Sequence, residues 1–137
     1  MKVLGVDISG REVRIVALDN GGDTIVNSTG TYKPLRLNGD ENAATLKLFK
    51  NTLFATFDGF GPDVIVYNAR NSTGKFAGSA ISFKIESLIQ LYENAEIVST
   101  KSQTIAAFYK KNELPIACEY GYQEDALKLA YHYLEVD

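Results

Sequence analysis

The segment Val3-Leu4-Gly5-Val6-Asp7-Ile8-Ser9-Gly10 is a short apolar run that carries one carboxylate and closes on small residues. Because its aliphatic side chains leave no polar face, the run predicts a β-strand that is buried on both sides. A carboxylate in such a strand is costly to desolvate unless a cation or a metal ion pairs with it. Asp7 therefore has two interpretations: it caps the turn that follows the strand, or it is the first ligand of a metal or phosphate site.

Length and composition limit the class of protein. The 137 residues are 45% hydrophobic and include 8 Tyr and 7 Phe, which predicts one domain, residues 1–137, with a single core. The single cysteine, Cys118, excludes an internal disulfide framework, and no apolar run approaches the roughly 18 residues that span a membrane. A net charge of −3 argues against non-specific coating of nucleic acid. We therefore expect a cytoplasmic protein without a membrane partner.

The sequence as a whole predicts strands and helices in the order βββαβαβα. Segments 12–18 and 24–33 complete a three-stranded antiparallel meander, with a hairpin loop at residues 19–23. Asn38-Gly39-Asp40 offers N-cap residues to the first helix, and Gly59 is predicted to end that helix. An apolar stripe at helical spacing lies between these two limits.

Strands and helices alternate in the second half of the chain. Residues 63–68 and 96–98 are predicted strands, and each precedes a helix. Thr100 and Gln103 have the spacing of a capping box at the start of one of these helices, and the last helix is expected at residues 123–134. Strands that alternate with helices after a meander imply an α/β fold with a mixed five-stranded sheet flanked by helices.

The element order resembles that of the RNase H-like superfamily, and three segments resemble RuvC-type Holliday-junction resolvases within it. The first strand resembles the one that carries their leading aspartate. Gly74-Lys75-Phe76-Ala77-Gly78-Ser79-Ala80 resembles the loop after their fourth strand, and Asp125-Ala126-Leu127 resembles their closing Asp-Ala-Leu segment. The chain is similar above all to a family of small bacterial RuvC-like proteins of unknown function, which share the loop Gly-Lys-Phe-Ala-Gly and a later Leu-Pro-Ile. That resemblance implies a fold but no established activity.

The resemblance also implies a chemistry, which is phosphodiester hydrolysis with two divalent metal ions held by several carboxylates. Asp7 and Asp125 match the positions on the first strand and the last helix. Asn68 stands where the fourth strand should end in Glu, and it offers only a neutral amide oxygen. Tyr122 stands where a further carboxylate is expected, and the nearby Glu124 is turned about 100° around the helix.

This count predicts a degraded site. The catalytic candidates are Asp7, Asp125 and Glu124, and the ligand candidates for a single, weakly bound Mg²⁺ or Mn²⁺ are Asp7, Asn68 and Asp125. Two matched carboxylates and one amide are poorly equipped for the two ions of the hydrolytic mechanism. We therefore expect little or no cleavage.

The loop from Ala69 to Phe76 nearly spells a Walker A motif between a strand and a helix. Ala69 replaces the first Gly and Phe76 replaces the Ser or Thr that would hold magnesium, which argues against nucleotide hydrolysis. Free N–H groups at a helix start, together with Arg70, Asn71 and Lys75, still predict a phosphate contact in nucleic-acid binding. The alternative is a solvated loop whose glycine permits a turn.

Three further interpretations concern side chains outside these motifs. His132 is expected to be a partly buried packing residue, since one His and no Cys cluster make a zinc site improbable. Glu124 and Lys128 have the i, i+4 spacing of a surface ion pair. The tyrosines are assigned to the core and its rim, and not to base-stacking platforms.

Three functions are compatible with these patterns. The favoured one is a binding module for structured nucleic acid or a protein partner, with a degraded metal site. The second is an active Mg²⁺- or Mn²⁺-dependent nuclease. The third is a single-domain relative of the actin-like and sugar-kinase superfamily, whose ATP-binding halves share this fold and also begin with an apolar strand, an acidic residue and glycines. The sequence does not define an oligomeric state.

Overall fold

A computed structural model of the chain describes residues 1–39, 42–70 and 79–136. Six strands and four helices lie in these ranges, together with a 3₁₀ turn over Gly121–Gln123. The strands are β1 (Lys2–Ser9), β2 (Glu12–Asp19), β3 (Val26–Asn27), β4 (Leu35–Arg36), β5 (Val64–Asn68) and β6 (Glu96–Thr100). The helices are α1 (Ala43–Phe60), α2 (Ala80–Gln90), α3 (Ser102–Tyr109) and α4 (Glu124–Val136).

The sheet is mixed and has the strand order β3-β2-β1-β5-β6, with β4 also paired to β2. β1 runs antiparallel to β2, whereas β1 with β5 and β5 with β6 are parallel pairs. Parallel pairing places the carboxyl ends of β1 and β5 side by side, with Val6 opposite Tyr67. The predicted α/β fold is therefore confirmed, and the first strand lies next to the strand that ends at Asn68.

The predicted third strand, residues 24–33, is wrong as a continuous element. β3 pairs with one end of β2 and β4 with the other, and these two short strands raise the strand count from five to six. Between them the chain leaves the ladder at Gly30, whose φ of 69° lies in the left-handed region. The hydroxyl of Thr29 accepts a hydrogen bond of 3.0 Å from the backbone N–H of Ala17. A side chain thus takes the place of part of the missing strand.

The predicted limits of α1 are also wrong. The N-cap is Asn42 and not the segment 38–40, because Asn42 Oδ1 accepts hydrogen bonds from the N–H groups of Ala44 and Thr45. Asp40 itself lies outside the described residues. At the other end, the helix continues through Gly59 and ends at Phe60. Gly61 follows with a φ of 62° and donates to the carbonyl of Phe57, which is a left-handed C-cap.

The capping box predicted at Thr100 and Gln103 does not form. Thr100 still belongs to β6, where it pairs with Asn68. The N-cap of α3 is Lys101, which makes no side-chain capping bond. The strand therefore keeps the residue that would have capped the helix.

Hydrophobic cores lie on both faces of the sheet. Successive side chains of a strand point to opposite faces, so Leu4, Val6 and Ile8 join one core and Val3 joins the other. The first core is closed by apolar residues of α1 and α2, and the second by α4 with a contribution from α3. None of the helices in the described ranges is long and apolar enough to cross a membrane.

Gly5 sets the distance between β1 and α4. A Cβ atom at this position would overlap the carbonyl oxygen of Ala126 and would lie 2.8 Å from its carbonyl carbon. These are backbone atoms, which cannot rotate away as a flexible side chain can. The absence of a side chain at Gly5 therefore allows the first turns of α4 to lie directly on the strand.

We expect Gly5→Ala to lower the free energy of unfolding by about 3 kcal/mol or more, at the upper end of overpacking effects, because α4 must move. The matched control is Gly59→Ala, where a new Cβ meets nothing within 4 Å inside α1. That change should raise stability by about 0.5–1 kcal/mol through helix propensity. Urea denaturation of both variants measures the change in the free energy of unfolding, which should be a decrease for Gly5→Ala and an increase for Gly59→Ala. A Gly5→Ala protein as stable as wild type would contradict the close packing of α4.

Candidate functional site

Asp7 lies on the α4 side of β1, two residues beyond Gly5. Its side chain is only 5% exposed. The close approach of α4 at Gly5 brings the start of that helix, and with it Asp125, toward the carboxyl end of β1. Asp7 pairs across the hairpin with Arg14. Asp7 therefore faces other polar groups at the end of the sheet.

The amide group of Asn68 links the ends of β1 and β5 by hydrogen bonds. Its Oδ1 accepts a hydrogen bond of 2.8 Å from the backbone N–H of Ile8. Its Nδ2 donates to Asp7 Oδ1 at 3.0 Å and to the backbone oxygen of Ile8 at 3.2 Å. Because the N–H of Ile8 can only donate, the amide oxygen must face it, and this fixes the orientation of the whole group. Asn68 therefore presents a donor, not an acceptor, to Asp7.

Asp7, Asn68 and Asp125 line one cavity of about 290 Å³. Asp125 is in the first turn of α4, where a negative charge is favourable to the helix dipole. Lys128, one turn further along α4, supplies a positive charge to the same wall. The remaining lining residues come from α3 and α4: Ser102, Ile105, Ala106 and Leu129.

The electrostatic balance at Asp7 disfavours its ionised form. Burial, and after it the negative charge of Asp125, raise the pKa of Asp7 from 3.8 to about 6. The charges of Arg14 and Arg70 and the hydrogen bond from Asn68 oppose this rise but do not cancel it. Near neutral pH the folded protein therefore holds an ionised Asp7 that is destabilised by burial and by the negative charge of Asp125.

Arg70 lies close to this carboxylate and is folded back on the strand end. Its Nε and Nη2 donate to the backbone oxygen of Asn68 at 3.3 and 3.1 Å. Its backbone N–H donates to Glu86 Oε2 at 2.8 Å. Burial lowers the pKa of the guanidinium, and the charges of Asp7 and Glu86 oppose that shift. The other two predicted phosphate contacts, Asn71 and Lys75, lie outside the described residues.

Glu124 is the candidate that the structure does not bring to the cavity wall. It is exposed, and its Oε1 lies 3.6 Å from Nζ of Lys128, which is the i, i+4 pair that the sequence predicts. Within the described residues, no three His, Cys, Asp or Glu side chains form a group that could hold a metal ion. His132 is half-buried and packs edge-on against Phe108 at 4.9 Å between ring centres, which confirms its predicted packing role.

Three charged residues at the site belong to none of the motifs that the sequence analysis identified as candidate sites. Arg14 could have been found by aligning β1 and β2 around their turn, since it stands opposite Asp7. Lys128 could have been found by helical spacing from Asp125. Glu86 carries no such signal, because its contact with Arg70 joins residues that are distant in sequence and depends on how α2 packs.

Comparison with known proteins places this geometry in a structural class. Among solved structures, the chain is similar to Thermus thermophilus RuvC, with a TM-score of 0.71 and 10% identity over 98% of this chain and 97% of that chain. The fowlpox virus Holliday junction resolvase gives a TM-score of 0.52 and 16% identity over 98% of both chains. The yeast mitochondrial Holliday junction resolvase Ydc2 gives 0.56 and 12% identity over 94% of this chain and 74% of that chain.

Comparison with curated proteins gives no match. Residues 1–133 match the family model described as "Protein of unknown function (DUF3010)". This span includes the whole sheet and both carboxylates of the cavity. The chain therefore belongs to the DUF3010 family of proteins of unknown function, and its fold is that of the RuvC-type Holliday junction resolvases.

Proposed function

We propose that this chain is a RuvC-like domain that binds structured nucleic acid at the end of the sheet around Asp7. In this proposal its metal site is degraded: it holds one divalent ion weakly and cleaves little or not at all. The main support for a degraded metal site is the geometry of Asn68, whose amide oxygen already accepts a hydrogen bond from the N–H of Ile8.

The donor set fits one hard cation and does not fit two. Hydrolysis by two metal ions depends on several carboxylates that hold both ions close together. Here Asp7 and Asp125 are the two carboxylates of the cavity. Coordination by the oxygen of Asn68, as the sequence predicts, would compete with its bond to Ile8. The two carboxylates therefore do not support hydrolysis with two metal ions. The oxygens of Asp7 and Asp125 would hold the single ion, with water completing its shell.

Positive charge around the carboxylates supports nucleic-acid binding. Phosphates approaching Asp7 and Asp125 meet Lys128 on the cavity wall and Arg70 at the end of β5. Asn71 and Lys75 extend this set in the sequence. The fold supports the same partner class, because similar structures include T. thermophilus RuvC in complex with a Holliday junction substrate and the fowlpox virus resolvase with Holliday junction DNA.

We expect Asp7→Asn to stabilise the metal-free protein at pH 7 by up to about 3 kcal/mol, because the variant removes a buried charge whose pKa is shifted by about two units. Mn²⁺ should raise the melting temperature of wild type and leave that of Asp7→Asn unchanged. Thermal melts with and without Mn²⁺ measure both effects. The control is Asp23→Asn, which changes an exposed carboxylate in the β2–β3 turn.

The pH dependence tests the cause of this stabilisation. Well below pH 4, Asp7 is protonated in both the folded and the unfolded protein, so wild type and Asp7→Asn should be equally stable. Between pH 4 and pH 6 the unfolded chain loses this proton while the folded one keeps it, so wild type should lose stability relative to Asp7→Asn. If Asp7→Asn is instead markedly destabilising and Mn²⁺ shifts neither protein, Asp7 is a structural cap.

The binding proposal is tested with a four-way DNA junction and a matched duplex. We expect Arg70→Ala/Lys75→Ala to weaken junction binding and to reduce the slope of log K against log salt by about two, since each cation accounts for roughly one phosphate contact. The control variant Lys47→Ala/Lys110→Ala removes the same charge from exposed positions on α1 and after α3. An unchanged slope in the first variant would remove this loop from the interface.

The same mixtures with Mg²⁺ or Mn²⁺ distinguish binding from cleavage. We expect the junction to stay intact with wild type. Metal-dependent cleavage that disappears in Asp7→Asn would contradict the degraded site and favour the nuclease.

A further inference from the structure

Tyr120 and Tyr122 form an exposed aromatic pair beside the candidate site. Their rings are parallel within 4° and their centres are 5.5 Å apart. Tyr120 is 49% exposed and Tyr122 is 36% exposed, so neither lies in the core, and of the predicted positions, the core and its rim, only the rim fits them. A stacked pair hides part of each ring, yet these two rings keep a large aromatic area in contact with solvent.

Hydrogen bonds hold the segment that carries this pair. The backbone N–H of Tyr120 donates to Gln123 Oε1 at 3.0 Å, and the N–H of Gln123 donates back to the carbonyl of Tyr120 at 3.0 Å. Gln123 is buried, and the 3₁₀ turn leads directly into α4. The backbone that carries the two rings is therefore held in place before any ligand arrives, which lowers the entropy cost of stacking a further ring against them.

The pair borders a groove of about 540 Å³ that also contains cationic side chains. Lys33 and Arg36 are exposed and line the groove. Glu12, another lining residue, forms ion pairs with Arg14 at 3.1 Å and with Arg36 at 3.5 Å, so part of the charge of Arg36 is already offset. Glu119 adds one carboxylate on the tyrosine side. A flat aromatic surface with cations nearby matches a nucleobase joined to a phosphate.

The groove lies at the same end of the sheet as Asp7. Glu12 pairs with Ser9, the last residue of β1, and Arg14 pairs with Asp7. Tyr122 is three residues before Asp125 in the sequence. We expect a nucleic-acid strand that is bound at the carboxylates to continue along this end of the sheet toward the tyrosines.

We infer that Tyr120 and Tyr122 form a stacking platform for an unpaired base of the nucleic acid that binds at Asp7 and Asp125. This inference rests on the proposed function and names its substrate class: a structure with unpaired nucleotides next to the bound phosphate. A continuous duplex keeps its bases stacked inside the helix and offers none to the platform. The tyrosines therefore favour gapped or forked structures over a continuous duplex.

The test compares fluorescently labelled DNA of one sequence as a continuous duplex and as the same duplex with a gap of four unpaired nucleotides. Anisotropy titrations at fixed salt give both affinities. We expect wild type to prefer the gapped probe about tenfold, which is within the range for stacking of one base. Tyr120→Leu/Tyr122→Leu should abolish this preference and leave duplex affinity unchanged. Tyr120→Phe/Tyr122→Phe should retain it, because the rings remain.

Each outcome decides between the two proposals. If wild type binds neither probe, the platform is wrong, and the junction titration decides separately whether the proposed function stands. If wild type binds both probes equally, or if the leucine variant keeps the preference, the platform is wrong while nucleic-acid binding stands. Because both rings are exposed, we expect the variants to fold. A thermal melt of each variant shows whether it is folded at the titration temperature.

Discussion

The close contact between α4 and β1 at Gly5 determines how the two carboxylates of the candidate site, Asp7 and Asp125, lie relative to each other. A strand buried between two layers normally keeps a helix at a distance set by side chains. Here the missing side chain lets the backbone of α4 at Ala126 touch the strand, and Asp125 therefore lies at the end of β1 with Asp7 in the same cavity. The repulsion between these carboxylates follows from that packing, and so does the raised pKa of Asp7. The site is a consequence of the fold and carries an electrostatic cost within it.

Asn68 decides what this arrangement can do. A carboxylate at the end of β5 would add a third negative charge and a third metal ligand. The amide instead donates to Asp7 and accepts from Ile8, so it stabilises the apposed strand ends without any ion. Arg70 and Arg14 supply further positive charge around Asp7. Hydrogen bonds and cations of the chain itself thus offset part of the negative charge at Asp7.

Much of the fold could be predicted from sequence because it depends on local periodicity. The apolar run of β1 and the helical stripe of α1 are examples, and the resemblance to resolvases led to the pairing of Asp7 with Asn68. The third strand could not be predicted, because its interruption depends on Thr29 reaching the N–H of Ala17 across the sheet. The orientation of the Asn68 amide could not be predicted either, since it is set by the N–H of Ile8, 60 residues away. The exposed tyrosine pair could not be predicted either, because the aromatic composition of a sequence does not reveal which rings remain exposed.

We propose that the amide of Asn68 stands where a negatively charged metal ligand would otherwise lie, and Asn68→Asp is the variant that restores that ligand. Asp keeps the shape and the acceptor for Ile8 but turns the donor that faces Asp7 into a negatively charged oxygen. Melting of wild type and Asn68→Asp at pH 7, with and without Mn²⁺, is the measurement. We predict that the variant melts lower without metal, by the equivalent of about 1–3 kcal/mol for an unsatisfied buried group, and that Mn²⁺ raises its melting temperature more than that of wild type. Equal melting temperatures without metal, with an equal response to Mn²⁺, would contradict this account.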